Sequence, residues 1–294
     1  MDIDDLKFIS KERIFMNEPV LISFEIPNNL NEINRKLIEK KDINEFTLPT
    51  TITKLGDSCF KECSSLTTIN IPTPISEIGY HCFKECSSLT SINLPLTITK
   101  LGEWCFDGCT SLISISIPST TSKIGEGCFN LCYSLTSIDI PSSVSEIGNY
   151  CFSKCRSLKS VNLPPTISEI GYECFKECSS LTSVDIPTSV SEIRDSCFRE
   201  CKSLKSINIP TTVSKIGNWC FYGCKSLTSV TIPSSVSKIG NWCFYGCSSL
   251  KEVDIPSSIS KLGNNCFDGC SEGLKKNEVL RNIYFKNEGS CVIV

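Results

Sequence analysis

One unit of 23 residues is copied end to end through most of this chain of 294 residues. Residues 49–71 show the unit, and adding 23 to its apolar positions returns the same residue types. Ten Cys-Phe pairs follow this spacing, from Cys59-Phe60 to Cys266-Phe267. A fixed period of this length is typical of a solenoid, in which each coil packs only on its neighbours.

The residues within one unit predict a short strand followed by turns. Leu66, Ile69 and Ile71 are spaced like the buried face of a strand, and strands of successive coils would pair in parallel. Pro72 lacks an N–H donor, so it ends the strand and turns the chain. Residues 79–86 are too few for a full helix, and they predict one helical turn on the outer side.

A glycine precedes each of these outer segments, as at Gly79. A tight turn with positive φ would favour glycine at this position. One coil carries Arg194 instead. That side chain is either strained there, or the turn does not require a positive φ.

The repeated pattern Pro-x-x-[Val/Ile]-x-x-Ile-Gly-x-x-[Ala/Cys]-Phe-x-x-Cys-x-x-Leu-x-x-Ile-x-Ile resembles the BspA-type leucine-rich repeats over residues 21–285. The resemblance implies an α/β-type solenoid wound as a right-handed superhelix. A parallel β-sheet would line its concave side, with short helical turns on the outer side. Members are often surface proteins, some of them adhesins, and the family brings no catalytic motif.

The repeat also divides the chain. Residues 1–48 predict an N-terminal cap with a degenerate repeat, in which residues 21–26 look like a strand. Residues 49–285 predict the solenoid, closed by a capping strand at residues 280–285. Residues 286–294 predict a flexible tail.

Charge is distributed unevenly along this frame. Residues 1–198 carry 17 basic and 25 acidic side chains, a net of −8, whereas residues 199–294 carry 12 and 7, a net of +5. The N-terminus has no apolar core of signal-peptide length, and no apolar run reaches the roughly 18 residues of a membrane span. These features favour the cytosol.

Twenty of the 21 cysteines lie at repeat positions, where we expect them to be small buried apolar groups. Zinc binding and disulfides along the stack are the alternatives. Cys291 is the exception, because it begins Cys291-Val292-Ile293-Val294, a C-a-a-X arrangement that accepts a prenyl group. We therefore predict lipidation of Cys291, with the farnesyl or geranylgeranyl choice open.

Three surface sets complete the sequence-based interpretation. The basic C-terminal residues would face a membrane or form an ordinary solvated edge: Lys215, Lys238, Lys261, Lys275, Lys276 and Arg281. Two identical segments, 215–224 and 238–247, would expose paired aromatics for protein binding: Trp219, Tyr222, Trp242 and Tyr245. Polar residues between the inward strand positions would form a second protein-binding face: Asn70, Asn93, Asp139, Asn162, Asp185, Asn208 and Asp254.

No feature predicts catalysis, a cofactor or a metal, since the single histidine is His81 and no phosphate loop or nucleophile elbow occurs. The strand face offers no aromatics for stacking bases and few cations, which argues against nucleic acid. We expect a monomeric, non-enzymatic protein-interaction scaffold, prenyl-anchored at the cytosolic face of a membrane, most simply the plasma membrane. The alternatives are a cell-surface adhesin and a soluble cytosolic regulatory or inhibitor subunit.

Overall fold

A computed structural model describes residues 52–284 continuously, together with residues 7–9, 13–15, 41, 43, 45–48 and 50. In these residues all strands are two or three residues long. They are β1 (Lys7–Ile9), β2 (Arg13–Phe15), β3 (Glu45–Thr47), β4 (Lys54–Leu55), β5 (Thr68–Asn70), β6 (Glu77–Ile78), β7 (Lys100–Leu101), β8 (Lys123–Ile124), β9 (Ser137–Asp139), β10 (Glu146–Ile147), β11 (Ser160–Asn162), β12 (Glu169–Ile170), β13 (Ser183–Asp185), β14 (Glu192–Ile193), β15 (Ser206–Asn208), β16 (Lys215–Ile216), β17 (Ser229–Thr231), β18 (Lys238–Ile239), β19 (Glu252–Asp254) and β20 (Lys261–Leu262).

Two series of parallel strands run along the solenoid. The two-residue strands from β4 to β20 form one ten-stranded sheet, in which each strand pairs with its equivalent in the next coil. The three-residue strands form shorter sheets, β9 with β11, β13 with β15 and β17 with β19, and a four-stranded sheet β1-β2-β3-β5 in which β1 is antiparallel to β2. The central residue of the three-residue strands from β5 onward is buried and its two neighbours are exposed, as the alternation predicted.

The predicted α/β solenoid with helical outer turns is wrong. The chain is a parallel β-solenoid with about 4% helix. Residues 79–86 form successive turns, because His81 and Glu85 have φ of 55° and 61° and a right-handed helix excludes both. The amides of His81 and Phe83 donate to carbonyls of the next coil, at 3.0 and 2.8 Å, rather than within a helix.

The core is one column of side chains shared by all coils. The Cys-Phe positions are buried from Cys59 to Phe267, as predicted. Nine successive pairs of phenylalanine rings stack with centroids 5.2–5.6 Å apart and planes within 11° of parallel. The column is therefore continuous through the ten coils that carry this pair.

Glycine allows the coils to approach closely at the position that begins each outer segment. Gly79 does not adopt a positive φ, so the turn requirement expected from sequence is wrong. A Cβ on Gly79 would lie 2.7 Å from the backbone nitrogen of Asp57 in the preceding coil. The residue is small because two backbones meet there.

Arg194 occupies the position of this glycine in one coil. Its amide forms no hydrogen bond to the Ile170 carbonyl among the described residues, and neither do the amides of Gly171 and Gly263 to the equivalent carbonyls. Strands β12 and β14 share a single aligned pair. The Arg194 side chain instead pairs with Glu169 at 2.8 Å, and its guanidinium lies 5.1 Å from the centre of the Tyr172 ring.

Edge-on aromatic rings close both ends of the phenylalanine column. Phe46 meets Phe60 at 4.9 Å and 73°, and Tyr284 meets Phe267 at 5.6 Å and 87°. Phe46 and Tyr284 thereby pack against the first and last phenylalanine rings of the column.

The structure revises the predicted caps in two respects. The expected capping strand at 280–285 is wrong, because a 3₁₀ helix (Glu272–Lys276) and α1 (Glu278–Ile283) end the fold. At the other end, β2 is the neighbour of β3, whereas the strand predicted at residues 21–26 lies outside the described residues. The remaining boundaries stay predictions.

Candidate functional site

The polar residues between the buried strand positions form the strand face: Asn70, Asn93, Asp139, Asn162, Asp185, Asn208 and Asp254. All seven are exposed. Parallel pairing aligns Asp139 with Asn162 and Asp185 with Asn208, so neighbouring side chains point outward in register. The result is a regular row of hydrogen-bonding groups along the solenoid.

Lysines border the strand face, which the sequence interpretation missed. Lys159, Lys205 and Lys251 are exposed immediately before β11, β15 and β19. They follow the 46-residue spacing of alternate coils. This periodicity is visible in the sequence and would have predicted a face with both signs of charge.

The four paired aromatics form the aromatic surface: Trp219, Tyr222, Trp242 and Tyr245. The two indoles stack at 5.4 Å with planes 2° apart, and the two phenols stack at 5.1 Å and 7°. Trp219 is 36% exposed and the other three are partly buried. The predicted pairing of the rings is confirmed, and their binding role stays a prediction.

Hydrogen bonds in both directions fix the backbone beneath the indoles. The backbone N–H of Asn241 donates to the side-chain Oδ1 of Asn218 at 2.9 Å. The backbone N–H of Asn264 donates in the same way to Oδ1 of Asn241. The amides of Trp219 and Trp242 donate to the next coil at 2.8 Å. Both tryptophans have positive φ, of 50° and 51°, a strained conformation for a bulky residue that the neighbouring coils maintain.

Arg199 supports the phenols from the preceding coil. Its guanidinium lies 5.1 Å from the centre of the Tyr222 ring, within range of a cation–π interaction. Its Nε atom is buried and has no hydrogen-bond partner among the described residues. Sequence reasoning missed Arg199, although it precedes Tyr222 by one repeat.

A second aromatic pair lies in the N-terminal half. Trp104 extends across Gly127 and stacks on Tyr150 with centroids 6.0 Å apart. A Cβ on Gly127 would lie 2.2 Å from the indole, so glycine makes room for the ring. Trp104 also occupies the same repeat position as Trp219, with a φ of 55°.

The basic residues differ in their partners. Lys215, Lys238 and Lys261 are aligned on adjacent strands, as predicted, and form the lysine column. Lys215 forms an ion pair with Glu192, and this hydrogen bond raises the pKa of Lys215. Lys238 and Lys261 form no ion pair within the described part of the chain.

The remaining basic residues lie in or beside the C-terminal helices. Lys276 and Arg281 are exposed, and the side chain of Lys275 lies outside what the structure describes. Their predicted membrane-facing role stays a prediction.

Two ladders of thiols occupy the interior. From Cys86 to Cys270, the second cysteine of each unit donates to a phenylalanine carbonyl of the preceding coil, as from Cys155 Sγ to Phe129 O at 3.2 Å. Burial raises the pKa of every thiol from Cys105 to Cys247, in the case of Cys174 to about 12. These cysteines are therefore packing groups with low nucleophilicity.

Neither a metal cluster nor a membrane-spanning helix is found where the structure is described. In those residues no three His, Cys, Asp or Glu side chains are placed to hold a metal ion. The same residues contain no helix long and apolar enough to cross a bilayer. Cys291 lies outside them, so its lipidation stays a prediction.

The period, the parallel strands and the buried column define a solenoid built from leucine-rich repeats. The chain belongs to the BspA-type leucine-rich repeat family, because the family model for the BspA type leucine rich repeat region matches six copies at residues 5–109, 76–205 and 191–288. No curated protein matches the chain.

Solved structures of leucine-rich repeat proteins are similar to this chain. The pneumococcal vaccine antigen PcpA is 19% identical, with a TM-score of 0.55 over 86% of this chain and 70% of that chain. A leucine-rich repeat protein from Bacteroides ovatus is 24% identical, with a TM-score of 0.45 over 96% of both chains. The T. pallidum leucine-rich repeat protein is 23% identical, with a TM-score of 0.48 over 77% of this chain and 90% of that chain. The similarity to PcpA shows a shared fold alone.

Proposed function

We propose that this protein is a non-enzymatic scaffold that binds another protein through the aromatic surface, with the strand face as a second contact area. The observation that carries the proposal is the stacked pair Trp219–Trp242 at the exterior of the fold. Tryptophan and tyrosine are the residue types that most often dominate binding energy in protein interfaces.

The aromatic surface is also held rigid before any partner binds. The hydrogen bonds of Asn218 and Asn241 fix the backbone, and each indole is held against its neighbour. Binding therefore orders few additional side chains, which lowers its entropic cost. The strand face adds hydrogen-bonding groups that a partner's backbone or side chains would satisfy.

Affinity capture with variants tests this proposal. The full chain, the variant Trp219→Ser/Trp242→Ser and the control Trp104→Ser are used as bait under identical conditions. Trp104 is the matched control because it has the same repeat position and backbone conformation. We expect a defined set of proteins to bind the full chain and the control, and to be lost from the double variant. Equal capture by all three baits would reject the aromatic surface as the binding site.

Membrane attachment through Cys291 is a separate part of the proposal, supported by the sequence Cys291-Val292-Ile293-Val294 alone. A prenyl group on this thiol would give reversible membrane binding. Mass spectrometry of the C-terminal peptide and fractionation of Cys291→Ser test it. An unmodified thiol, or an unchanged membrane fraction of the variant, would remove the tether and leave the scaffold function standing.

A further inference from the structure

The strand position that holds the lysine column carries charge pairs in the N-terminal coils, where Lys54 meets Glu77 at 2.7 Å and Lys123 meets Glu146 at 2.8 Å. Lys100 lies there between Glu77 and Lys123 on adjacent strands. Lys238 and Lys261 are exposed and lie side by side on adjacent strands, with no such partner in the described residues. Two unpaired lysines on strands about 5 Å apart place like charges near each other, so they favour an external anion.

The same coils place the aromatic surface beside these cations. Trp242 follows Lys238 by four residues, which limits the distance between their backbones to about 14 Å. The equivalent positions between them carry uncharged Asn218, Asn241 and Asn264. No carboxylate lies between Lys238 and Trp242 along the chain, and Asp195 borders the row of amides, where it accepts from Asn218 at 2.9 Å.

We infer that the lysine column and the aromatic surface together bind an extended acidic segment of a partner protein. This inference deepens the proposed scaffold function and rests on it. Carboxylates of the segment would pair with Lys238 and Lys261, and its apolar or proline side chains would pack on the Trp219–Trp242 ridge. Charge complementarity identifies the partner's chemistry.

The geometry favours a protein segment over a nucleic acid or a membrane. Nucleic-acid binding typically neutralises several phosphates, which is more than two unpaired lysines can contact. Recognition of an anionic leaflet typically uses clusters of four to eight basic residues, whereas this column has two unpaired lysines.

Fluorescence anisotropy with a defined probe tests the inference. The probe is a labelled peptide in which glutamate alternates with proline and phenylalanine, and the same peptide with glutamine is its control. We expect the acidic peptide to bind the full chain and to lose affinity as ionic strength rises. Lys238→Glu/Lys261→Glu is expected to weaken binding about tenfold or more.

Two further variants identify the surface. Trp219→Ser/Trp242→Ser is expected to weaken binding of the acidic peptide as well, because the apolar side chains of the peptide lose their contacts with the indoles. Lys100→Glu/Lys123→Glu changes the net charge equally on adjacent strands of the N-terminal coils, and we expect it to keep the affinity within about twofold, since binding is local. No binding, an equal loss in both lysine variants, or equal affinity for the glutamine peptide would overturn the inference.

Two further measurements distinguish an acidic protein segment from an anionic membrane, and the failure of this inference from the failure of the proposed scaffold function. Binding to phosphatidylserine vesicles without binding to the peptide would overturn the inference in favour of a membrane. If Lys238→Glu/Lys261→Glu still captures the cellular partners that Trp219→Ser/Trp242→Ser loses, the scaffold function stands and the acidic-segment inference fails.

Discussion

Two aromatic stacks occur in the same pair of coils, one inside and one outside. Phe221 and Phe244 stack at 5.2 Å with both rings fully buried. Trp219 and Trp242 stack at 5.4 Å, and Trp219 is exposed. The ring spacing is nearly the same because the coil repeat sets it, so only burial distinguishes the two stacks.

This difference in burial assigns the inner rings of a repeat to stability and the outer rings to recognition. The inner stack is one segment of a column that continues through the whole fold, so each ring is held by two neighbours and by the thiol ladders. The outer stack involves two coils, and its rings are held by their backbone and by each other. We expect changes inside to unfold the chain and changes outside to alter binding.

Alkaline pH is expected to produce the largest change in the free energy of unfolding, because it acts on the thiols of the buried interior and not on the outer stack. Burial raises the pKa of thiols such as Cys151 and Cys197, so the folded state keeps protons that the unfolded state loses above about pH 8.5. Their stabilisation is complete below that pH and is lost as pH rises towards the folded pKa. Each thiol lowers the free energy of unfolding by about 1.4 kcal/mol per pH unit in this window.

Urea unfolding between pH 7 and pH 10, in the presence of reductant, measures this dependence. Returning the sample to pH 7 controls for chemical damage. An unchanged unfolding midpoint across this range would contradict the buried-thiol interior.

Removing one inner ring is the next largest change. Phe152→Ala leaves a cavity between two stacked neighbours and is expected to cost about 3–5 kcal/mol in the free energy of unfolding. Phe152→Leu retains most of the volume, so we expect a smaller loss. Thermal and urea unfolding followed by circular dichroism provide the measurement, and a loss below about 1 kcal/mol for Phe152→Ala would contradict the role of the column.

The close approach of the coils at the glycine positions predicts an intermediate loss in the free energy of unfolding when a glycine is replaced. In Gly217→Ala the new Cβ would lie 2.5 Å from the Asp195 nitrogen, and we expect a cost of about 1–3 kcal/mol. Arg194→Gly places the usual glycine at this position and introduces no Cβ, but it loses an exposed ion pair with Glu169. We expect a change of less than about 1 kcal/mol for this second variant. Equal unfolding midpoints for the two variants would show that the glycines do not set the coil spacing.

The outer stack predicts the smallest effect on stability. Trp219→Ser/Trp242→Ser loses the stacking of one aromatic pair, about 0.5–1.5 kcal/mol, together with the burial of two partly exposed rings, and we expect it to cost less than Phe152→Ala. Its melting temperature, compared with that of Phe152→Ala, measures the contrast directly. A cost as large as that of the inner ring would mean that the indoles belong to the core.

The period allowed much of the interior to be predicted, because every coil repeats the same burial. Cys128 and Phe129 are buried as their spacing indicated. The outer segment was predicted wrongly, since the four-residue spacing of its cysteines fits a helical turn and the left-handed backbone of His81 leaves no mark on hydrophobic spacing.

The C-terminal cap was predictable in principle. Asn277 caps α1 by accepting the Leu280 amide at 3.0 Å, and an Asn-Glu sequence is a recognisable helix start. The apolar residues that follow were instead matched to the strand of the repeat. The outer contacts of Arg199 and Trp104 depend on side-chain direction, which the spacing of residues does not determine.

The identity of residues 215–224 and 238–247 has an evolutionary consequence. Edge-on rings contact the first and last phenylalanines of the column, so whole units gained or lost between them would leave these two contacts unchanged. Each further copy of this segment would add one lysine and one tryptophan to the exterior. Tandem duplication would thereby lengthen the recognition surface in fixed steps while the fold stays the same.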